Sequence, residues 1–373
     1  KIVLKEDAAG LEEVIVVGYG EQKKVNLTGS IVTVSAEDFE NRNVSNAVQA
    51  LQGNVAGLRV TQTTGAPGNE DITFQIRGVN SFSSDPEISA VEKNKPLILI
   101  NGLVGSMADL DPAFIESVTV LKDAASASIY GARAANGVIL VTTKKGSEGK
   151  TAISYTGRIM NQKQINTLER NWESVAFMEK VNNWLAPYTG RYYSDEVINN
   201  FKNNPSDEFP SFNHEDYYLH DVTIQSHNLQ VGGTSGKTKY NVGLGYWDQD
   251  GIADGFTFEK TNALINVDSQ VNDYVKIGAY VNGTISKRTE PYNGERDYLM
   301  GILSQSPTYK PWLLDGSGRY TGNNGGTMPE SQGYADVSSK NAYAISNSPN
   351  ALTYDDRFAL NANAYLEAKL FEG

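Results

Sequence analysis

The chain has 373 residues, 32 Lys and Arg against 44 Asp and Glu, a net charge of −12, and no cysteine. The length suits two or three domains, the acidic balance argues against a nucleic-acid partner, and the missing cysteines exclude disulfides, thiolate metal sites and Cys nucleophiles. With 39% apolar and 20% charged residues the chain is too apolar for disorder. No apolar run reaches the ~18 residues of a membrane-spanning helix, which leaves a β-barrel open.

Residues 1–7 (KIVLKED) read as the tail of a strand belonging to an element further upstream. Residues 11–20 (LEEVIVVGYG) hold four consecutive β-branched residues between acids and glycines. They suit either an ordinary buried strand or an extended peptide that adds to a partner's sheet edge, and position alone leaves both open.

Residues 25–150 form a compact α+β domain. A short helix is expected over residues 45–53, capped by Ser45 or Asn46 and stopped by Gly53. Strands are expected over 58–63, 72–77, 96–102, around Val118 and Val120, and over 137–143. Asp111-Pro112 marks a helix start, and Asp123 is positioned to cap a helix over 124–130 that Gly131 ends. Arg77 and Arg133 are read as structural arginines.

From residue 151 the pattern becomes period two. Six strands are expected over residues 151–162, 226–234, 240–247, 258–269, 275–286 and 357–371, each with one apolar face and one polar, Gly-rich face suited to a wet lumen. Their connections alternate strictly between short (235–237, 270–273) and long or medium (163–225, 249–257, 288–356). A soluble sandwich has no reason to collect its excess length at one end, whereas outer-membrane barrels combine short periplasmic turns with long outer loops. The expectation is an α+β plug domain followed by antiparallel transmembrane β-barrel strands. Six strands do not close a barrel, so the chain is expected to be a piece of a larger protein.

The carrying stretches are LEEVIVVGYG at 11–20, VSNAVQALQGNVAGLRV at 44–60, IRG at 76–78, and above all IESVTVLKDAASASIYGARAANGVILVTTKKG at 115–146. On them the chain resembles TonB-dependent outer-membrane transporters of the SusC/RagA type, the channel half of a nutrient-uptake pair. The resemblance implies that residues 1–10 end an N-terminal extension and that 11–24 hold the TonB box and linker. It makes 25–150 the plug, and 151–373 the first barrel strands with their outer loops. Glu13, Val14, Ile15, Val16 and Val17 become the box grasped by periplasmic TonB. The resemblance further implies a SusD-like lipoprotein lid over the mouth and a location in the outer membrane of a Gram-negative bacterium. Asn101 stands where the family usually has aspartate.

Other motifs fall away. Residues 232–238 (GGTSGKT) lack the first phosphate-loop glycine and join two strands. Residues 248–251 (DQDG) and 315–318 (DGSG) read as turns rather than calcium loops. His214, His220 and His227 sit in or beside one loop without metal-ligand spacing, and are read as solvated or packed within the loop. No catalytic arrangement, cofactor motif or metal site is present in the pattern. The loops 163–225 and 288–356 carry net charges of −5 and −3 and hold 19 of the 36 aromatics. Their flat faces suit sugar stacking, which nominates Trp172, Trp184 and Trp312 for ligand binding, although packing within the loops or against the lid is the plainer role for any one of them. The polar stretch 80–96, including Asn80, Ser81 and Phe82, is a second candidate facing the cavity. The expected function is import of an oligosaccharide. The alternatives are import of an oligopeptide, a receptor that signals without transport, and, more remotely, a soluble binding sandwich.

Overall fold

The computed structural model describes residues 14–17, 20–23, 31–40, 42, 44–69, 72–78, 94–165, 170–292, 294–312, 342 and 349–369. The expectations for residues 1–7, Glu13, 80–93, 315–318 and 370–371 lie outside the described residues.

Strands β1 (Val14–Val17) and β2 (Gly20–Lys23) pair antiparallel with each other as a two-stranded sheet. Strand β3 (Ile31–Ser35) leads into helix α1 (Ala36–Glu40), where the Asp38 carboxylate accepts from the Ser35 amide and hydroxyl. Helix α2 (Ala47–Leu51) is capped by Asn46, whose Oδ1 accepts from the Val48 amide at 2.9 Å. Strands β4 (Leu58–Gln62) and β5 (Ile72–Ile76) form a separate antiparallel pair. With β6 (Leu97–Ile100), β7 (Leu103–Val104), β8 (Ile115–Leu121) and β9 (Val138–Thr143), β3 completes a five-stranded sheet of order β3-β8-β9-β6-β7. In it only β6 and β9 run parallel.

Two helix expectations are modified. Pro112–Phe114 is a single 3-10 turn, with Asp111 Oδ1 accepting from the Ala113 amide at 2.8 Å. Helix α3 (Ala124–Ala127) follows Asp123, but that carboxylate makes no capping bond, and the chain continues as a 3-10 turn to Gly131 at φ 73°. The departure at Asn101 has a local account. Its amide donates to Thr143 Oγ1 at 2.7 Å and its Oδ1 accepts from the Thr143 amide at 3.1 Å, closing β6 onto β9 without a charge.

The second half is a six-stranded antiparallel meander in sequence order. Its strands are β10 (Ala152–Gln162), β11 (Val222–Ser235), β12 (Thr238–Asp250), β13 (Thr257–Gln270), β14 (Val275–Pro291) and β15 (Leu352–Ala368). Strands of 11 to 17 residues meet or exceed the ~9–11 that a tilted bilayer crossing needs. The β11–β12 turn has Gly236 at φ 60° as the first of two central residues, and Asn272 Oδ1 accepts from the Tyr274 and Val275 amides in the β13–β14 turn. Asp248 and Asp250 lie within β12 rather than in a turn, because the strand runs to its register partner Thr257. Among the described residues no group of three or more His, Asp or Glu side chains is placed to share an ion.

The long connections are not plain loops. The first contains α4 (Ser174–Thr189), α5 (Asp195–Asn203) and α6 (His214–Tyr218), and the last contains α7 (Gly294–Leu303). Among the described residues no helix is long and apolar enough to cross a membrane.

Candidate functional site

Alternation along the meander separates two environments. Ile153, Ile159, Leu229, Leu244, Ile265, Ile285, Phe358, Leu360 and Leu366, from all six strands, face outward, with Ile159 76% and Leu366 68% exposed. An apolar band of that extent on six neighbouring strands is a surface for lipid. Over β11–β14 the opposite face does not stand open to water as the sequence suggests, whereas Ser154 and Thr156 on β10 remain exposed. The middle strands are covered by the N-terminal domain, whose core of Val48, Leu51, Met107, Leu110, Phe114, Ile115, Val118 and Ile139 is continuous with Leu264 and Tyr280 of the wall.

Polar wall side chains fasten that domain by its backbone. Lys260, only 4% exposed, donates from Nζ to the carbonyls of Ser45 (3.2 Å), Ala108 (2.6 Å) and Leu110 (3.2 Å). The Asp109 carbonyl accepts from Asn262 Nδ2 (3.0 Å), Asn282 Nδ2 (3.0 Å) and Thr284 Oγ1 (2.6 Å), while the Asp109 carboxylate pairs with Arg357 at 2.8 Å. Burial nevertheless pushes the Asp109 carboxyl above its usual range, against the pull of Arg357 and Lys260. A second fastening lies lower, where Asn241 and Asn266 donate to the Lys144 carbonyl at 2.9 and 3.4 Å. The wall also makes room for the domain. A Cβ on Gly243 would stand 2.6 Å from the Phe114 ring, and one on Gly245 2.3 Å from Asp111 Oδ2. These glycines, read in sequence only as a polar face, form the slot that receives residues 111–114.

Beside this slot lies a polar cavity of about 260 Å³ between the domain and strands β10–β13, lined among others by Arg42, Asp111, Lys144, Arg158, Asn228 and Lys260. A smaller cavity of about 220 Å³ shares Lys144, Ser154 and Gln230 with it and reaches Ala152 and Gly232 near the short-turn end. Asp111 is pushed above the usual carboxylate range by burial, opposed by the Ala113 amide and by the charges of Lys260, Arg158 and Lys144.

At the opposite end the long connections pack into one layer. His214 is fully buried, bonds the Ser306 carbonyl through Nε2 at 3.1 Å, and lies against Trp172, Phe212, Tyr218 and Tyr309. Burial lowers its pKa from 6.5 to about 4. Trp312 packs on Phe212 and Tyr217, with Lys310 Nζ 5.7 Å above its ring and 2.7 Å from Asp207. Ser174 Oγ donates to the carbonyls of Pro210 and Pro307, joining the first and last connections. Tyr218, Phe256, Tyr298 and Ile302 extend the same packing to the middle one.

The nominated aromatics therefore separate. Trp172 and Trp312 are half-buried in the cluster around His214, whereas Trp184 is 73% exposed on α4 one turn from the exposed Tyr188. The three histidines also part company: His214 is packed, His220 pairs with Asp254 at 2.6 Å, and His227 stands on β11 bonded to Tyr155. Arg77 and Arg133 are exposed, Arg77 at φ 56°. Asn80, Ser81 and Phe82 lie outside the described residues. Of the five box residues Val14, Ile15, Val16 and Val17 form β1.

Residues 23–138 match the TonB-dependent Receptor Plug Domain family. Among curated proteins, TonB-dependent receptor P26 of Formosa agariphila is 36% identical over 315 residues, covering 82% of this chain and 30% of that protein. TonB-dependent receptor SusC of Bacteroides thetaiotaomicron is 29% identical over 334 residues, covering 86% and 31%. The chain thus spans about 30% of the length of these relatives. The RagAB peptide importer in its open-open state superposes with a TM-score of 0.76 at 24% identity, over 97% of this chain and 41% of that one, a likeness of fold. The matched plug, the wall it sits on and these relatives agree: the chain belongs to the SusC/RagA-like TonB-dependent receptors of the outer membrane, and contributes their plug and six strands of their barrel.

Proposed function

We propose that the whole protein imports an oligosaccharide across the outer membrane by TonB-dependent transport, as the channel partner of a SusD-like lid lipoprotein. The observation that carries this reading is the plug held on the inner face of a lipid-facing wall by side-chain hydrogen bonds, its five-stranded sheet separate from the wall's six strands. In this reading residues 1–10 end an extension, 11–24 are box and linker, 25–150 the plug, and 151–373 wall and outer loops.

Glu13 and Val14–Val17 are the box. That β1 pairs within a two-stranded sheet, outside the five-stranded plug sheet, supports it: such a strand can exchange β2 for an incoming edge at the loss of four residue pairings. Trp184, with Tyr188 beside it, is a sugar-stacking candidate, and Trp172 and Trp312 act by holding the loop layer. Asn80, Ser81 and Phe82 are assigned to the cavity side on their sequence alone. An oligopeptide is the alternative substrate, and the RagAB neighbour is described as a peptide importer. No bond of the solute is made or broken.

The test is deletion of residues 13–17 from the full-length protein in its host. Growth on the oligosaccharide is lost while ligand binding to whole cells remains. Unchanged growth on every oligosaccharide and peptide tried overturns the reading, and loss confined to peptides transfers it to the alternative.

A further inference from the structure

The β4–β5 hairpin stands outside the five-stranded plug sheet and takes part in two separate cores. Along its strands Ile72, Phe74 and Ile76 are buried in the plug core, with Leu58 and Val60 packed against it. At its tip Ala66 belongs to the core of the outer layer, together with Tyr218, Ala253, Phe256, Tyr298 and Ile302. These five come from all three outer connections, and among the described residues Ala66 is the plug's one member of that core. The sequence suits the tip to its place. Residues 66–69 (APGN) make a tight turn in which the Asn69 amide donates to the Ala66 carbonyl at 3.2 Å. Pro67 presets the second position of that turn and Gly68 takes φ 65° at the third. Thr64 Oγ1 accepts from the Ala66 amide at 3.0 Å and from Asn69 Nδ2 at 3.2 Å, which ties both arms together. Glycine at 68 also answers to packing, since a Cβ there would collide with the ring of Phe258, buried at the start of β13.

We propose that residues 64–69 are a coupling tip, through which plug seating and the packing of the outer layer stabilise each other. The hairpin strands are anchored in the plug core, so a plug drawn off the wall withdraws Ala66 and Pro67 from the outer layer. The layer then loses packing on its inner side, and a close-packed core responds to such a gap by loosening as a unit. Linkage makes the effect reciprocal: whatever presses the outer connections together also strengthens their hold on the tip. The composition of the tip fits a joint that separates and re-forms. Ala66 and Pro67 are buried without a polar side-chain atom, so withdrawal strands no side-chain donor or acceptor. The biological sense rests on the importer reading, in which a pull on the box moves the plug, but the coupling is measured without transport.

The experiment measures amide hydrogen exchange by mass spectrometry in the full-length receptor purified in detergent. Peptides 214–219, 251–256 and 298–303 report the outer layer, 115–121 the plug sheet and 238–250 the wall. Lys260→Met, which loosens the plug at the carbonyls of Ser45, Ala108 and Leu110, speeds exchange in the three outer peptides at least about threefold. The wall peptide is unchanged. Ala66→Asp puts a carboxylate into the outer core, and exchange in the outer peptides rises at least about tenfold while 115–121 is unchanged. Combining the two adds nothing beyond Ala66→Asp, because the tip through which Lys260→Met acts is already out of place. Should Ala66→Asp not assemble, as judged by heat-modifiable gel migration, Pro67→Gly takes its part with an expected rise of about threefold. Outer exchange indifferent to Lys260→Met, effects of the two substitutions that simply multiply, or equal acceleration in 115–121 each overturn the proposal. Absence of TonB-dependent uptake in cells sinks the importer reading alone, and intact uptake with an outer layer indifferent to the tip sinks the coupling alone.

Discussion

Lys260 shows how much depends on one side chain that belongs to neither core. Its stem crosses the inner face of β13, and its ammonium places one proton on each of three plug carbonyls. Each carbonyl would otherwise be left facing a wall that excludes water, so the lysine is fully used and its charge is balanced by dipoles as well as by Asp109 and Asp111. Lys260→Met keeps the length and the apolar stem but leaves three acceptors short of a donor. At about 1–3 kcal/mol for a stranded buried group, partly relieved by entering water, a loss of about 2–4 kcal/mol in plug seating is expected. In the full-length receptor this appears as a lower denaturant midpoint for plug release, read by proteolysis of residues 100–115, with the β-sheet circular dichroism of the barrel unchanged. An unchanged midpoint would place the seating energy in the apolar contacts of Leu264 and Tyr280 instead. Arg357→Gln, acting on the part-exposed pair with Asp109, has the smaller effect of the two.

At the scale of elements, the outer layer depends on His214 staying neutral. Its folded-state pKa of about 4 lies below the ordinary 6.5, so the unfolded layer takes up a proton first as the pH falls. Stability of the layer is therefore full above pH 6.5, declines between 6.5 and about 4, and is constant below; the shift is worth at most about 3 kcal/mol. Hydrogen exchange in residues 172–219 and 298–309 should accelerate between pH 7 and pH 5 after correction for intrinsic rates, and His214→Phe should abolish the pH dependence. Acceleration that persists in the variant would overturn the assignment to His214.

These elements also show what the sequence carries. The six strands are legible because one face meets lipid and the other meets polar plug backbone, so burial imposes a strict period of two. The plug strands and the Asn46 cap are legible because their signals are local. Helix α4 is not, since it turns Met178 and Asn182 inward but leaves Trp184 and Tyr188 bare and ends with Pro187 inside it. The plug fastenings are not legible either. A Lys or Asn that bonds a carbonyl about 150 residues away has the same local pattern as one that faces a wet lumen. Glycine at 243 and 245 offered the one usable hint, because a strand that gives up side chains on its inner face is making room for something.

For the whole molecule, the alternation of connection length becomes a vector. The turns at 236–237 and 271–274 share one edge of the wall with residues 144–152, where the plug runs into β10. The helical layer of α4–α7 occupies the other edge, with its net negative charge and its exposed aromatics. On the proposed import reading, in which TonB engages the box from the periplasm, the short turns are expected to face the periplasm and Trp184 and Tyr188 the outside. In intact cells producing the full-length receptor, which has no cysteine within these residues, Tyr188→Cys should be labelled by a membrane-impermeant maleimide. Lys237→Cys should be labelled only after the outer membrane is permeabilised. Both substitutions fall at exposed positions, where about 0.5 kcal/mol or less is at stake, so assembly is preserved and the pattern reports orientation alone. The reverse pattern would put the acidic aromatic layer in the periplasm. It would remove the lid from its proposed partner surface.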